Sequence, residues 1–197
     1  TSSHYQDVVE IELATQRCKS IVDSLLDFAR QQPSKRNSKK QSVNLHEAIK
    51  SAVTFANVGL STGLGKIQID EDYTEEKLFV KGNKNKFVQV FLNILQNAIQ
   101  AMSSGGLVEV TLKLNSSKKT PMALLEIRDC GEGIDPRDLP KIFDPFFTTK
   151  DPGEGTGLGL ALSFSIITEA NGTMKAESES GEGTIFTIEL PLCEEDK

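Results

Sequence analysis

The sequence predicts an α+β or α/β sandwich entered through a separate amphipathic helix. Three observations carry this expectation. Residues 1–31 hold an apolar stripe with helical spacing. Residues 45–190 switch repeatedly between helix-period and strand-period patterns. A short polar segment containing proline divides the two.

The N-terminal stripe is Ile11, Ala14, Cys18, Ile21, Leu25 and Phe28, in steps of three and four, widened by Val22, Leu26 and Ala29. One narrow seam of this kind suits a helical bundle or coiled coil. Such a helix cannot bury its face alone. It packs either on its own globular domain or, as we favour, on a partner helix from a second copy. Gln31 to Ser42 reads as a linker, with Pro33 as a helix stop and a solvated basic run, Lys35-Arg36 and Lys39-Lys40. The expected organisation is a helix over 1–31, a linker over 32–42, a globular domain over 43–193 and a tail over 194–197.

Within the globular part, Leu45 to Phe55 reads as helix. Lys66 to Asp70 and Leu78 to Val80 read as strands. Asn83 is placed to cap a long helix running to about Met102. Leu107 to Leu114 and Ala123 to Asp129 alternate as strands do, Gly157 to Ala170 is helical, and Thr173 to Glu177 and Thr184 to Leu190 close the chain as strands ended by Pro191. The strand pairs look antiparallel, and no internal repeat is visible.

Hydrophobic residues are 38% and charged residues 25% of the 197, ordinary values for a globular protein. A net charge of -6 argues against a nucleic-acid partner. Cys18, Cys130 and Cys193 are far apart and form no CxxC pair, so neither a zinc site nor a disulfide framework is signalled. The chain suits a reducing compartment, and a cytoplasmic location is expected. The Asn115-Ser116-Ser117 and Asn171-Gly172-Thr173 sequons are taken as chance. No apolar run approaches the roughly 20 residues that cross a bilayer, although a longer parent protein could carry an anchor elsewhere.

Four stretches carry chemistry. On the long helix, Phe87, Phe91, Ile94, Leu95, Ala98 and Met102 form an apolar face. Beside it Gln89, Asn93 and Asn97 stand four residues apart on one line. Asn is a poor mid-helix residue, so the line needs a reason. An amide oxygen can ligate Mg²⁺ that phosphates otherwise hold, although a solvated polar face would look the same. The second stretch, Asp129-Cys130-Gly131-Glu132-Gly133-Ile134, follows an apolar strand. Its carboxylate can accept from a ligand's amino group while its glycines allow close backbone approach, or it is an ordinary tight turn. The third, Ile142-Phe143-Asp144-Pro145-Phe146-Phe147-Thr148-Thr149-Lys150, offers three Phe to anchor a mobile loop and a Lys to reach a phosphate. A satellite apolar cluster would read alike. The fourth is Gly153-Glu154-Gly155-Thr156-Gly157-Leu158-Gly159-Leu160, glycines opening into a helix, where free N–H groups and the helix dipole attract an anion. Neither G-x-G-x-x-G nor the P-loop pattern occurs.

In this order and spacing the four stretches resemble the N, G1, F and G2 boxes of the histidine-kinase catalytic domain. That family belongs to a wider group with gyrase, the heat-shock chaperone ATPases and the mismatch-repair ATPases. Gly181-Glu182-Gly183-Thr184 with Phe186 looks like the family's closing turn and strand, so the resemblance spans about residues 42–192. It implies a two-layer fold, a mixed sheet covered on one face by helices, with ATP between helices and lid. It implies that Asn97 ligates Mg²⁺ with Asn93 nearby, and that Asp129 binds the adenine amino group, partly through water. Gly131 and Gly133 would shape the adenine pocket, and Ile134 and Thr184 would also bind the nucleotide. The lid would run from Phe143 to Gly155 and bring Thr148, Thr149 and Lys150. Gly155, Thr156, Gly157, Leu158, Gly159 and Leu160 would form its hinge and phosphate cradle.

ATP-hydrolysing members of the wider group carry Glu one turn before the Mg-binding Asn, as general base for water. Here that position is Asn93, which cannot take a proton at neutral pH. The resemblance therefore implies a kinase, with Asn93, Asn97 and Lys150 as its catalytic set. An ATP-hydrolysing or nucleotide-sensing domain is the alternative. Arg17-Cys18, Ile21-Val22 and Leu25 to Arg30 resemble the second helix of the family's dimerisation hairpin. The phosphoacceptor histidine would then lie upstream of this chain, on a homodimer's first helix, with a response regulator receiver domain as eventual recipient. His46-Glu47 imitates the phosphorylation motif but lacks its Pro, and is read as a surface helix residue. His4 is likewise not taken as acceptor.

Overall fold

The structure is a computed structural model describing residues 41–60, 67–116, 120–150 and 155–196. The N-terminal stripe, His4, Cys18, the basic run and the Gly153-Glu154 step fall outside the described residues.

The described elements are β1 (Gln41–Asn44), α1 (Leu45–Leu60), β2 (Ile67–Tyr73), β3 (Phe79–Gly82), α2 (Lys84–Gln100), β4 (Gly106–Asn115) and β5 (Met122–Asp129). A short 3-10 turn (Leu139–Lys141), α3 (Gly159–Glu169), β6 (Thr173–Glu179) and β7 (Gly183–Pro191) follow. Five strands form one sheet in the order β2-β4-β5-β7-β6. β2 runs parallel to β4, whereas the other pairs are antiparallel, so the sheet is mixed.

Alternation explains the layers. Val108, Val110 and Leu112 on β4 and Ala123, Leu125 and Ile127 on β5 are buried, while Glu109, Lys113 and Arg128 on the opposite face are exposed. The buried face receives α2, whose Phe87, Phe91, Ile94, Leu95 and Ala98 are all buried, as is Met102 just beyond it. Asn83 caps α2 as the sequence predicts: its side chain accepts from the Lys86 N–H at 3.2 Å. α1 and α3 flank α2 with their own buried rows, Ala48, Ile49, Ala52 and Val53 on one, Leu162, Ile166 and Ile167 on the other. The predicted two-layer α+β fold is what forms.

Four local expectations are corrected. Gln41 and Ser42, expected in the linker, pair with Gly82 and Lys81 as the start of β1. Four residues are too few to show a strand period. The chain's end reinforces this small sheet: Ser42 N–H donates to Asp196 Oδ2 at 2.6 Å, and Asp196 N–H donates to Ser42 Oγ at 2.7 Å. His46 is not a surface residue but half-buried. Its Nε2–H donates to the Thr74 carbonyl at 2.8 Å, and its ring meets Tyr73 edge-on. The cause is the capping of its N–H by the Asn44 side chain, which directs the first turn of α1 into the β2–β3 connection. Of the three clustered Phe, only Phe143 and Phe147 pack against the core; Phe146 is 62% exposed. Finally, α3 begins at Gly159 rather than Gly157, because Gly157 has a left-handed φ of 64° that no helix continues.

Candidate functional site

Asp129 ends β5 and is only 4% exposed. Its Oδ1 accepts from two backbone N–H groups, Gly131 at 2.9 Å and Thr184 at 3.2 Å. Burial raises its pKa above the ordinary carboxyl value, and the two N–H bonds oppose that shift. Both bonds use one oxygen, and among the described residues none donates to Oδ2, which is left available to a ligand.

The glycines around it are fitted to backbone. A Cβ on Gly131 would lie 2.7 Å from the Ala101 carbonyl oxygen. Gly133, at φ 69°, would drive a Cβ into the Glu179 carbonyl, and Gly183, at φ 92°, into that of Asp129 itself. Main-chain bonds stitch these pieces together. Glu132 N–H donates to Ala101 O at 3.2 Å, and Gly181 N–H donates to Glu132 O at 2.7 Å. The C-terminal end of α2, the loop after β5 and the β6–β7 turn thus form one continuous backbone unit.

Asn97, on α2, lies in the turn that precedes this unit. Its Oδ1 accepts from Lys150 Nζ at 3.3 Å, and the same ammonium is hydrogen-bonded to Gln100 Oε1. Two amide oxygens therefore converge on one cation. Asn93 faces elsewhere: its Nδ2 donates to Gly159 O at 3.2 Å and Ser163 Oγ at 3.4 Å, joining α2 to the first turn of α3. That turn has no side-chain cap, so its leading N–H groups remain open to an anion. Thr156 Oγ1 accepts from Leu158 N–H at 3.3 Å just before it.

The aromatic segment and the glycine-rich segment hold each other. Phe146 N–H donates to Gly157 O at 2.9 Å, and both residues have left-handed φ, 68° and 64°. Phe143 packs against Phe164 of α3, with ring centroids 5.1 Å apart and the rings tilted by 35°. Thr148 and Thr149 are exposed, and a Cβ on Gly155 would lie 2.5 Å from Thr148 Oγ1. Leu158 is buried, while Leu160 and Ile134 pack at the core's margin.

The structure thus gathers the predicted residues into two groups, Asp129 with Gly131, Gly133 and Thr184, and Asn97 with Lys150. Three contributors went unread in the sequence. Gln100 lies three residues beyond Asn97 on the same helix face, so extending the amide line by one step would have found it. Ser163 and Ser178 carried no local signal.

Residues 82–194 match the family described as histidine kinase-, DNA gyrase B- and HSP90-like ATPase. The chain belongs to this family. It is 33% identical over 190 residues to sporulation kinase A of Bacillus subtilis, covering 96% of this chain and 29% of that protein. It is 34% identical to the sensor histidine kinase ZraS of Salmonella typhimurium, over 77% of this chain and 31% of that one. The catalytic domain of histidine kinase ThkA superposes with a TM-score of 0.65 at 28% identity, covering 78% of this chain and 95% of that domain. The chain spans about a third or less of the first curated relatives it matches, 29% of one and 33% of another. Within this family, the mixed sheet with helices on one face is the shared scaffold. No described helix is long and apolar enough to cross a membrane.

Proposed function

We propose that this chain is the ATP-binding catalytic part of a protein histidine kinase in a two-component system. The observation that carries the reading is the pairing, beside the C-terminal end of α2, of a buried carboxylate with two converging amide oxygens. Asp129 Oδ2 suits the amino group of adenine, because an ionised carboxylate only accepts. Asn97 and Gln100 suit Mg²⁺: their oxygens already share one cation, the Lys150 ammonium. Hard neutral oxygens are what Mg²⁺ takes beside phosphates. When bound, the metal would neutralise charge on the β- and γ-phosphates. Lys150 would add a point charge, and the uncapped first turn of α3 would supply N–H donors to the same phosphates.

The position that would hold a general base for water is Asn93, and its amide is engaged in joining α2 to α3. No proton acceptor for water stands there, so ATP is held for an external nucleophile. That nucleophile would be a histidine on the dimerisation helix of a homodimeric parent, with a response regulator receiving the phosphoryl group. The kinase names of its relatives support this reading. A cytoplasmic placement, with any anchor elsewhere in the parent, goes with it.

The test is a calorimetric titration with a nonhydrolysable ATP analogue, with and without Mg²⁺, followed by phosphotransfer from ATP to a supplied histidine-bearing helix. Mg²⁺-dependent binding, transfer to the helix and little free phosphate are expected. Sustained phosphate release by the chain alone would overturn the kinase assignment in favour of a hydrolytic switch.

A further inference from the structure

We propose that Ser178 is a positioning residue that sets the nucleobase preference of this site. The inference rests on the reading that Asp129 meets the adenine amino group.

Ser178 lies on β6, outside all four sequence stretches. Its Oγ has three neighbours: Ile134 N at 2.8 Å, Gly183 O at 2.8 Å and Thr184 Oγ1 at 3.0 Å. Hydrogen-bond valence then fixes every proton. The Ile134 N–H can only donate. The Gly183 carbonyl can only accept, so it takes the single Ser178 proton. The Thr184 hydroxyl must therefore donate to Ser178 Oγ. With its proton committed there, Thr184 Oγ1 offers only lone pairs to any other group. Its own N–H, meanwhile, holds Asp129 Oδ1 at 3.2 Å.

Ser178 thus does two things at once. It ties Ile134, in the loop after β5, to the β6–β7 turn that supplies the Thr184 N–H. It also makes Thr184, like Asp129, an acceptor towards the pocket. Two acceptors match a base carrying a 6-amino donor and oppose one carrying a 6-oxo acceptor. Thr184 is 5% exposed and Gly183 is buried too, so the hydroxyl cannot easily exchange this arrangement for bulk water.

The experiment measures the affinity of the whole chain for nonhydrolysable analogues of ATP and ITP, which differ in that 6-substituent, with melting curves to confirm folding. The wild-type chain should prefer the ATP analogue. Ser178→Ala frees the Thr184 proton to donate, and the preference should fall about tenfold, the size of one or two neutral hydrogen bonds. Ser178→Thr keeps the hydroxyl and should restore it. Thr184→Val should lower the preference similarly, and adding Ser178→Ala to it should change the ratio no further. A merely structural serine would weaken both analogues equally. An unchanged ratio in a folded Ser178→Ala therefore overturns the inference and leaves the reading of Asp129 standing. A wild-type chain that binds both analogues equally overturns both. Should Ser178→Ala not fold, Thr184→Val decides: a retained preference overturns the inference and a lost one supports it.

Discussion

The two ends of the site beside α2 are made of different materials. At the base end, a buried carboxylate is held by backbone N–H groups, and glycines with left-handed φ are pressed against carbonyls. At the other end, Asn97 is half-buried, and Lys150, Thr148 and Thr149 are exposed. One end is fixed by main chain and the other by side chains. The base is a rigid, uncharged shape, which suits a fixed template. Phosphates and a metal are charged groups that attract side chains over a distance and tolerate some motion. The contrast predicts a graded response to mutation, steepest where backbone sets the geometry.

The largest effect is expected from Gly183→Ala. The substitution places a Cβ against the Asp129 carbonyl at a φ of 92°, so the turn must move or the strand pairing must yield. A loss of roughly 2–3 kcal/mol in stability is expected, with analogue binding abolished. Gly181→Ala sharpens the point. Its φ of 86° is also left-handed, but nothing lies within 4 Å of the added carbon. Only the conformational cost remains, about 1 kcal/mol. Equal melting midpoints for the two variants would mean that backbone packing does not hold this end.

Next comes the carboxylate. Asp129→Asn keeps the shape but exchanges a charged acceptor for a neutral one. About a 10- to 100-fold loss of analogue affinity is expected by calorimetry. The pH dependence follows from the direction of its shift. Burial raises the folded-state pKa above the ordinary value of 3.8. As pH falls through that raised value the carboxyl gains a proton and loses acceptor strength, so binding should weaken on acidification. Folding responds with the opposite sign. A raised carboxyl pKa favours the folded state at low pH, and that contribution fades as pH rises through 3.8 to the raised value. An acid-side decline in affinity that persists unchanged in Asp129→Asn would assign it to another group.

The same contrast explains what the sequence disclosed. α2 was legible except for Gln100, because its 3.6-residue period, its Asn83 cap and its amide line all point one way. Asp129 was legible as a carboxylate at a strand end, followed by the glycines Gly131 and Gly133. The carboxylate's partner across the sheet was only half legible. Thr184 sits beside Gly183 in a recognisable turn, but the hydrogen bond that matters comes from its backbone N–H, which every residue but proline has. Ser178 was invisible for a related reason: a serine on an exposed-edge strand is ordinary, and its role depends on Ile134, 44 residues away in sequence. β1 was missed because pairing with β3, rather than its own four residues, makes it a strand. Local patterns report helices and turns, whereas long-range polar contacts are settled only by the fold.

The smallest effects belong to the side-chain end, and they should differ in kind. Asn97→Ala removes one of two converging amide oxygens and leaves the backbone untouched. Stability should change by less than about 1 kcal/mol, while the Mg²⁺ concentration needed for half-maximal analogue binding should rise about tenfold. Lys150→Met should cost less still. An exposed ammonium contributes modestly, so about a two- to fivefold loss is expected, shrinking as salt screens the charge. Titrations of both variants at low and high ionic strength separate the roles. A salt-sensitive loss in Lys150→Met beside a Mg²⁺-sensitive loss in Asn97→Ala is the expected pattern. If Lys150→Met instead abolished binding at every salt concentration, Lys150 would be a fixed structural element. The division between a backbone-built base end and a side-chain-built phosphate end would then fail.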